Sequence, residues 1–167
     1  MINKINKLSQ SEFVKVFANI FENATWIAEE LYKLKPFLDF DELSLKMINI
    51  FEKTSKEKKL KILNDHPDLA NKAKISSLTP DSLKEQKNSG LDQCTEDEFN
   101  EFKKLNEDYK KFGFPFILAI KNKSKIEILN NFRKRINSEK QVEFDEAIKQ
   151  VKKIASLRLK DLSNKNI

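Results

Sequence analysis

With 167 residues, 39% of them hydrophobic and 10% aromatic, the chain has apolar material for one compact domain over 1–167 and too little for two, since a domain of this size buries about 70% of its unfolded surface. The formal charge of +6 invites a nucleic-acid surface, yet only Arg133, Arg135 and Arg158 are arginines, 26 acidic residues alternate with the lysines, and no long block of like charge occurs. A single cysteine, Cys94, and a single histidine, His66, exclude an internal disulfide and leave no thiol pair or histidine cluster for zinc.

Two glycines and four prolines are too few for a sheet protein that must turn repeatedly, so helices are expected throughout. The start, Met1 to Gln10, carries lysines but no apolar core, so it does not read as a secretory signal. No run reaches membrane-spanning length, and Asn164-Lys165-Asn166-Ile167 is not a peroxisomal address. These features point to a soluble cytoplasmic protein with no membrane partner.

Four helix starts show the capping-box pattern, in which a Ser or Thr accepts from the N3 amide while an acidic or amide side chain reaches back: Ser9/Glu12, Thr95/Glu98, Ser124/Glu127 and Ser138/Gln141. From Ser9, Phe13, Val14, Val16, Phe17, Ile20 and Phe21 recur at helical spacing. Asn23 can cap a second helix with Trp26, Ile27, Leu31 and Leu34, ended by Pro36. Asp39 or Asp41 starts a third, with Leu43, Leu45, Met47, Ile48, Ile50 and Phe51, and Ser55 caps a fourth with Leu60, Ile62 and Leu63. These stripes read as core. The densest basic run, Lys56 to Lys61, reads as a solvated face of the fourth helix, which delivers His66.

Leu69 to Leu78 read as a connector. Thr79 is then an N-cap with Pro80 at N1, where its missing amide costs nothing, and Leu78 and Leu83 sit at the staple positions. Ser82, Glu85, Gln86 and Ser89 fall at i, i+3, i+4 and i+7, giving this fifth helix one hydrogen-bonding face before Gly90 ends it. The Thr95 helix follows with Phe99, Phe102, Leu105 and Tyr109, and stops at Gly113.

Phe114-Pro115-Phe116-Ile117-Leu118-Ala119-Ile120 breaks the pattern. It is a continuous apolar run with a proline inside, expected to be extended chain that either lines a site or plugs a gap between helices. Ser124 opens a helix with Ile126, Ile128, Leu129 and Phe132. Ser138 opens the last, with Val142, Phe144, Ile148, Val151, Ile154, Ala155, Leu159 and Leu162. Arg158 lies four after Ile154 and three after Ala155, on or beside the buried stripe, where a guanidinium needs a carboxylate partner or an anionic ligand. The sum is an all-α protein, a single compact domain of about eight helices with one short extended apolar segment.

A lone histidine held by a following proline is a candidate acid or base, although a surface or packing role is commoner for such a residue. The ordered set His66-Pro67-Asp68-Leu69-Ala70, Leu78-Thr79, Ser82, Glu85-Gln86, Gly90-Leu91, Leu105-Asn106, Tyr109, Phe112-Gly113-Phe114-Pro115-Phe116-Ile117, Leu157-Arg158-Leu159 and Asp161-Leu162 resembles 2-oxo-4-hydroxy-4-carboxy-5-ureidoimidazoline (OHCU) decarboxylase over nearly the whole chain. Asn71 and Ser89 stand where that family commonly has Gly and Ala. The resemblance implies an all-helical, cofactor-free and metal-free carboxy-lyase of urate catabolism that turns OHCU into (S)-allantoin and carbon dioxide. It assigns His66 as acid/base and Glu85 as the group that bonds it. It gives Ser82 and Gln86 to the ureido or ring amides, and Pro67 to the imidazole's approach. Phe114, Phe116 and Ile117 would supply backbone hydrogen bonds and an apolar wall, and Arg158 would bind anionic or carbonyl oxygens. Members of the family are often dimers, so a homodimer is allowed, with no nucleic acid as partner. The competing class is a non-catalytic basic helical module that binds RNA or a partner protein through its lysines.

Overall fold

A computed structural model of the chain describes residues 1–71 and 78–165, and most of the Leu69 to Leu78 connector lies outside them. Among the described residues the regular structure is helical throughout, with no strand. In chain order the α-helices are α1 (Ile2–Lys7), α2 (Gln10–Phe17), α3 (Thr25–Tyr32), α4 (Phe40–Glu52), α5 (Lys56–Asn64), α6 (Pro80–Asn88), α7 (Glu96–Tyr109), α8 (Lys125–Arg135) and α9 (Lys140–Ser163). No helix among these residues is long and apolar enough to cross a membrane.

The caps explain where most of these helices begin. Ser9, Thr95 and Ser124 each accept from the N3 amide while Glu12, Glu98 and Glu127 reach back, which satisfies two amides that the helix itself leaves open. Asp39 caps α4 and Thr79 caps α6, with Pro80 at its first position. Two expectations shift. α3 starts at Thr25, because Asn23 takes a left-handed backbone (φ 50°) that ends the preceding turn instead of capping the next helix. α9 starts at Lys140, and Gln141 donates forward to Asp145. α1 was not foreseen: its N-cap is Met1, with no side-chain cap bond to announce it.

The chain groups into two compact units, residues 1–62 with 152 onward, and residues 63–151. In the first, α2, α3 and α4 pack consecutively around Phe13, Phe17, Ile27, Leu31, Leu43, Met47 and Phe51, all essentially inaccessible. Each such side chain contributes about 1.5–3 kcal/mol through burial. Phe13 lies 4.5 Å from Phe17 between ring centroids, and Phe21 stacks on Phe51 at 4.9 Å. Asn6 exchanges two hydrogen bonds with the Phe37 backbone (2.7 and 2.9 Å), which ties α1 to the turn before α4.

Not every apolar residue of the expected stripes is core. Leu34, in the turn after α3, and Leu45, Leu60, Ile126 and Val142 on their helices are exposed, and single exposed apolar residues are ordinary. The second unit is built around aromatic rings. Phe116 stacks on Phe132 at 3.9 Å, and Tyr109 meets Phe112, Phe114, Phe116 and Phe132.

Candidate active site

The second unit holds every candidate residue except Arg158. α5 ends at Asn64, and the His66 amide donates to the Leu63 carbonyl (3.2 Å), closing one turn. Pro67 then has no amide to continue the helix. The next three residues are held from two sides. Gln86 of α6 accepts from the Ala70 amide (3.1 Å) and donates to the Asp68 carbonyl (3.3 Å), while Asn106 of α7 donates to the Leu69 carbonyl (3.0 Å). This grip supports an unusual backbone: Ala70 sits at φ 53°, a conformation that costs an L-residue about 1–2 kcal/mol. The left-handed position is therefore Ala70, and its neighbour Asn71 bonds back to Asp68 (3.1 Å).

α6 turns its polar face inward. Ser82, Gln86 and Ser89 are buried, Glu85 is half-buried beside them, and Leu83 and Lys84 on the other side are exposed. Three residues beyond Gln86, the Ser89 hydroxyl donates to the Ile120 carbonyl (2.9 Å). A single helix is thus bonded both to the stretch that carries His66 and to the far end of the extended apolar segment.

That segment follows Gly113, whose left-handed backbone (φ 83°) redirects the chain after α7. Phe114 and Phe116 to Ile120 are all buried, and residues 115–120 form neither helix nor strand. Side chains take the place of a neighbouring strand. Arg135 donates to the Ile117 carbonyl (2.7 Å), the Ala119 amide donates to Gln150 (3.0 Å), and Ser89 serves Ile120. The rings of Phe114 and Phe116 are committed to the aromatic core, and the polar groups of the segment are those of its backbone.

Gln86 commits both ends of its amide to the His66–Ala70 stretch, which makes it a clamp in this structure. Gln86→Leu leaves the Ala70 amide and Asp68 carbonyl unserved, at about 1–3 kcal/mol for each buried group. Faster hydrogen exchange at the Ala70 amide than at α7 amides would report the loosened stretch, and unchanged exchange at Ala70 would deny the clamp.

Arg158 belongs to the first unit. There its Nη1 lies 3.0 Å from the Glu22 carboxylate and 2.8 Å from the Asn19 carbonyl, with both ionic side chains buried. The carboxylate partner is one of the two expectations for this guanidinium.

Sequence reasoning did not single out Glu22, Arg135 or Glu143. In the second unit the Glu143 carboxylate, fully buried, takes the Tyr109 hydroxyl and two nitrogens of Arg135. Burial and that carboxylate push the Tyr109 hydroxyl far above its ordinary pKa, so it remains a donor. Periodicity could have found Glu143: it stands four before Ala147 and eight before Val151, on the stripe that flagged Arg158. A cavity of about 270 Å³ lies against Ala70, Asn71, Leu83, Gln86 and Leu91, but His66, Ser82 and Glu85 do not line it. Among the described residues no group of three or more His, Cys, Asp or Glu could hold a metal ion.

A family model described as OHCU decarboxylase matches residues 6–160, spanning both units. The chain is similar to the 2-oxo-4-hydroxy-4-carboxy-5-ureidoimidazoline decarboxylase of Haloferax volcanii, 35% identical over 159 residues, covering 95% of this chain and 93% of that one. It is also similar to the uric acid degradation bifunctional protein of Bacillus sp. (strain TB-90), 38% identical over 162 residues, which are 96% of this chain and 32% of that one. The chain thus spans about a third of the length of such bifunctional relatives. Among solved structures, an (S)-allantoin synthase superposes with a TM-score of 0.76 at 29% identity, over 97% of this chain and 54% of that one.

Proposed function

The chain belongs to the OHCU decarboxylase family, and on that premise we propose that it decarboxylates OHCU to (S)-allantoin and carbon dioxide, with His66 as the acid/base. The observation that carries the reading is the two-sided grip on the stretch around the only histidine, by α6 and α7, in a chain that matches decarboxylases of that name along nearly their full length.

The chemistry asks little of a cofactor. In OHCU the carbon that bears the hydroxyl and carboxylate is bonded to an imine carbon. When the bond to the carboxylate breaks, its electron pair forms a double bond between those two ring carbons, and the imine nitrogen takes up the displaced charge. Carbon dioxide leaves an enol-enamine. One proton is then delivered to the former imine carbon on a single face, the enol hydroxyl gives up its proton to become the hydantoin carbonyl, and the sum consumes one proton from solvent. The protein must orient the ring, keep water from the departing carboxylate and transfer the proton stereospecifically.

His66 carries that proton, and Glu85 on the inward side of α6 bonds the imidazole and fixes its tautomer. Ser82 binds a ureido or ring amide, Pro67 limits the imidazole's approach, and the backbone from Phe114 to Ile117 faces the ring as wall and hydrogen-bonding edge. Gln86 acts through its clamp on Asp68 and Ala70. Arg158, paired with Glu22, serves the fold first. The reading makes OHCU the partner and requires neither nucleic acid nor a membrane. The test supplies OHCU freshly made from urate by urate oxidase and hydroxyisourate hydrolase and follows circular dichroism. The purified protein is expected to produce (S)-allantoin in large enantiomeric excess, faster than the spontaneous racemic route; a rate and product equal to the spontaneous ones would defeat the reading.

A further inference from the structure

Arg135 is committed in every direction. Its Nε (2.9 Å) and its Nη2 both meet one oxygen of Glu143, its Nη1 donates to the Ile117 carbonyl (2.7 Å), and its guanidinium lies 4.6 Å from the centre of the Phe116 ring. An arginine and a carboxylate usually pair two nitrogens with two oxygens, the arrangement of greatest mutual strength. Here the two nitrogens share Oε1, the Tyr109 hydroxyl joins them there, and Glu143 Oε2 is buried with no hydrogen-bond partner among the described residues. The best ion-pair geometry is given up, and what the guanidinium holds in this pose is the backbone of Ile117.

The held group matters because a peptide is planar. The Lys35–Pro36 bond is the cis peptide of the described residues, so the Ile117–Leu118 bond is trans. Fixing the Ile117 carbonyl therefore fixes the Leu118 amide to point the opposite way in the same plane. The next plane is fixed as well, through the Ala119 amide on Gln150 (3.0 Å), and the end of the segment through Ile120 on Ser89 (2.9 Å). Arg135 is the charged member of this set and the one next to Phe116 and Ile117.

We propose that Arg135, braced by Glu143, is a positioning residue for the reaction: it sets the Ile117–Leu118 peptide plane in the wall that the substrate ring is placed against. The inference rests on the functional reading above. Its action is on backbone orientation and not on the substrate itself.

Arg135→Lys keeps the charge for Glu143 but offers one nitrogen in place of the three of a planar fork, so it cannot pair the carboxylate and hold Ile117 in the same way. The matching control is Arg133→Lys, two residues earlier on α8, where the arginine pairs with Glu101 at the surface. At a temperature where circular dichroism shows each variant fully folded, Arg135→Lys is expected to lower kcat/KM for OHCU by about tenfold or more, the scale of a small misplacement at a reacting centre, and Arg133→Lys to leave it unchanged. Amide exchange at Leu118 should rise in Arg135→Lys by a comparable factor. If Arg135→Lys does not fold, the pair Arg135→Met with Glu143→Gln removes both charges, keeps an acceptor for Tyr109, and should give the same two results. Unchanged exchange at Leu118 overturns the positioning role whether or not the chain turns over OHCU. Raised exchange with a wild-type kcat/KM overturns it too. A wild-type chain with no activity on OHCU instead overturns the functional reading.

Discussion

His66→Asn is expected to slow (S)-allantoin formation by at least about a hundredfold, the usual scale for losing a general acid/base. Asparagine keeps a polar side chain at a half-buried position, and bonds from the His66 amide, Gln86 and Asn106 that hold this stretch do not involve the imidazole. The fold should therefore be preserved, with the loss falling on kcat. The chain has no second histidine to take over the proton. Product chirality adds a separate reading: if the imidazole delivers the proton to one face, what the variant still makes should approach the racemate. Wild-type turnover and wild-type enantiomeric excess together would move the proton transfer to another group, with Glu85 the next to test.

The second large effect is on stability. Arg158→Ala takes the guanidinium away from the buried Glu22 carboxylate, 2% exposed, and the Asn19 carbonyl loses a donor. Breaking a buried pair from one side costs about 3–5 kcal/mol. For a chain of this length that lowers the melting temperature by on the order of ten degrees. Arg158→Lys separates the two roles sequence reasoning left open. A marked drop in melting temperature with KM for OHCU near wild type fits the ion pair with Glu22, whereas a raised KM at nearly wild-type stability would give the guanidinium to the substrate.

These two residues show what periodicity and chemistry can and cannot reveal. Arg158 stood out because a charge on an apolar stripe needs a carboxylate partner or an anionic ligand, and the buried pair with Glu22 is the first of these. The partner itself was invisible, since Glu22 is 136 residues away and nothing local marks it. Glu143 was overlooked between Val142 and Phe144, although Val142 proved exposed and Glu143 buried: the apolar residue and the acid exchange the sides their chemistry suggests. Helix starts were legible where a side chain makes the cap, as at Ser9, Thr95 and Ser124, and illegible at α1, where none does. That α6 has one polar face followed from its spacing, and the burial of that face is a finding of the structure. That Gln86 grips the backbone of the His66 stretch did not follow from spacing either, because such a bond depends on how two elements meet.

Phe114 to Ile120 has a further consequence for how the protein survives being unfolded. Seven uncharged, largely apolar residues in extended form are the kind of segment that stacks into cross-β fibrils when left open. In a sheet such a strand at an edge would offer its free amides and carbonyls to the next molecule. Here Ser89, Arg135 and Gln150 occupy key backbone groups, and helices leave no ladder for an incoming strand to extend. Pro115 inside the run removes one donor permanently. The same side chains that shape the segment therefore shield it from self-association, and a variant that releases it invites aggregation at concentrations the intact protein tolerates.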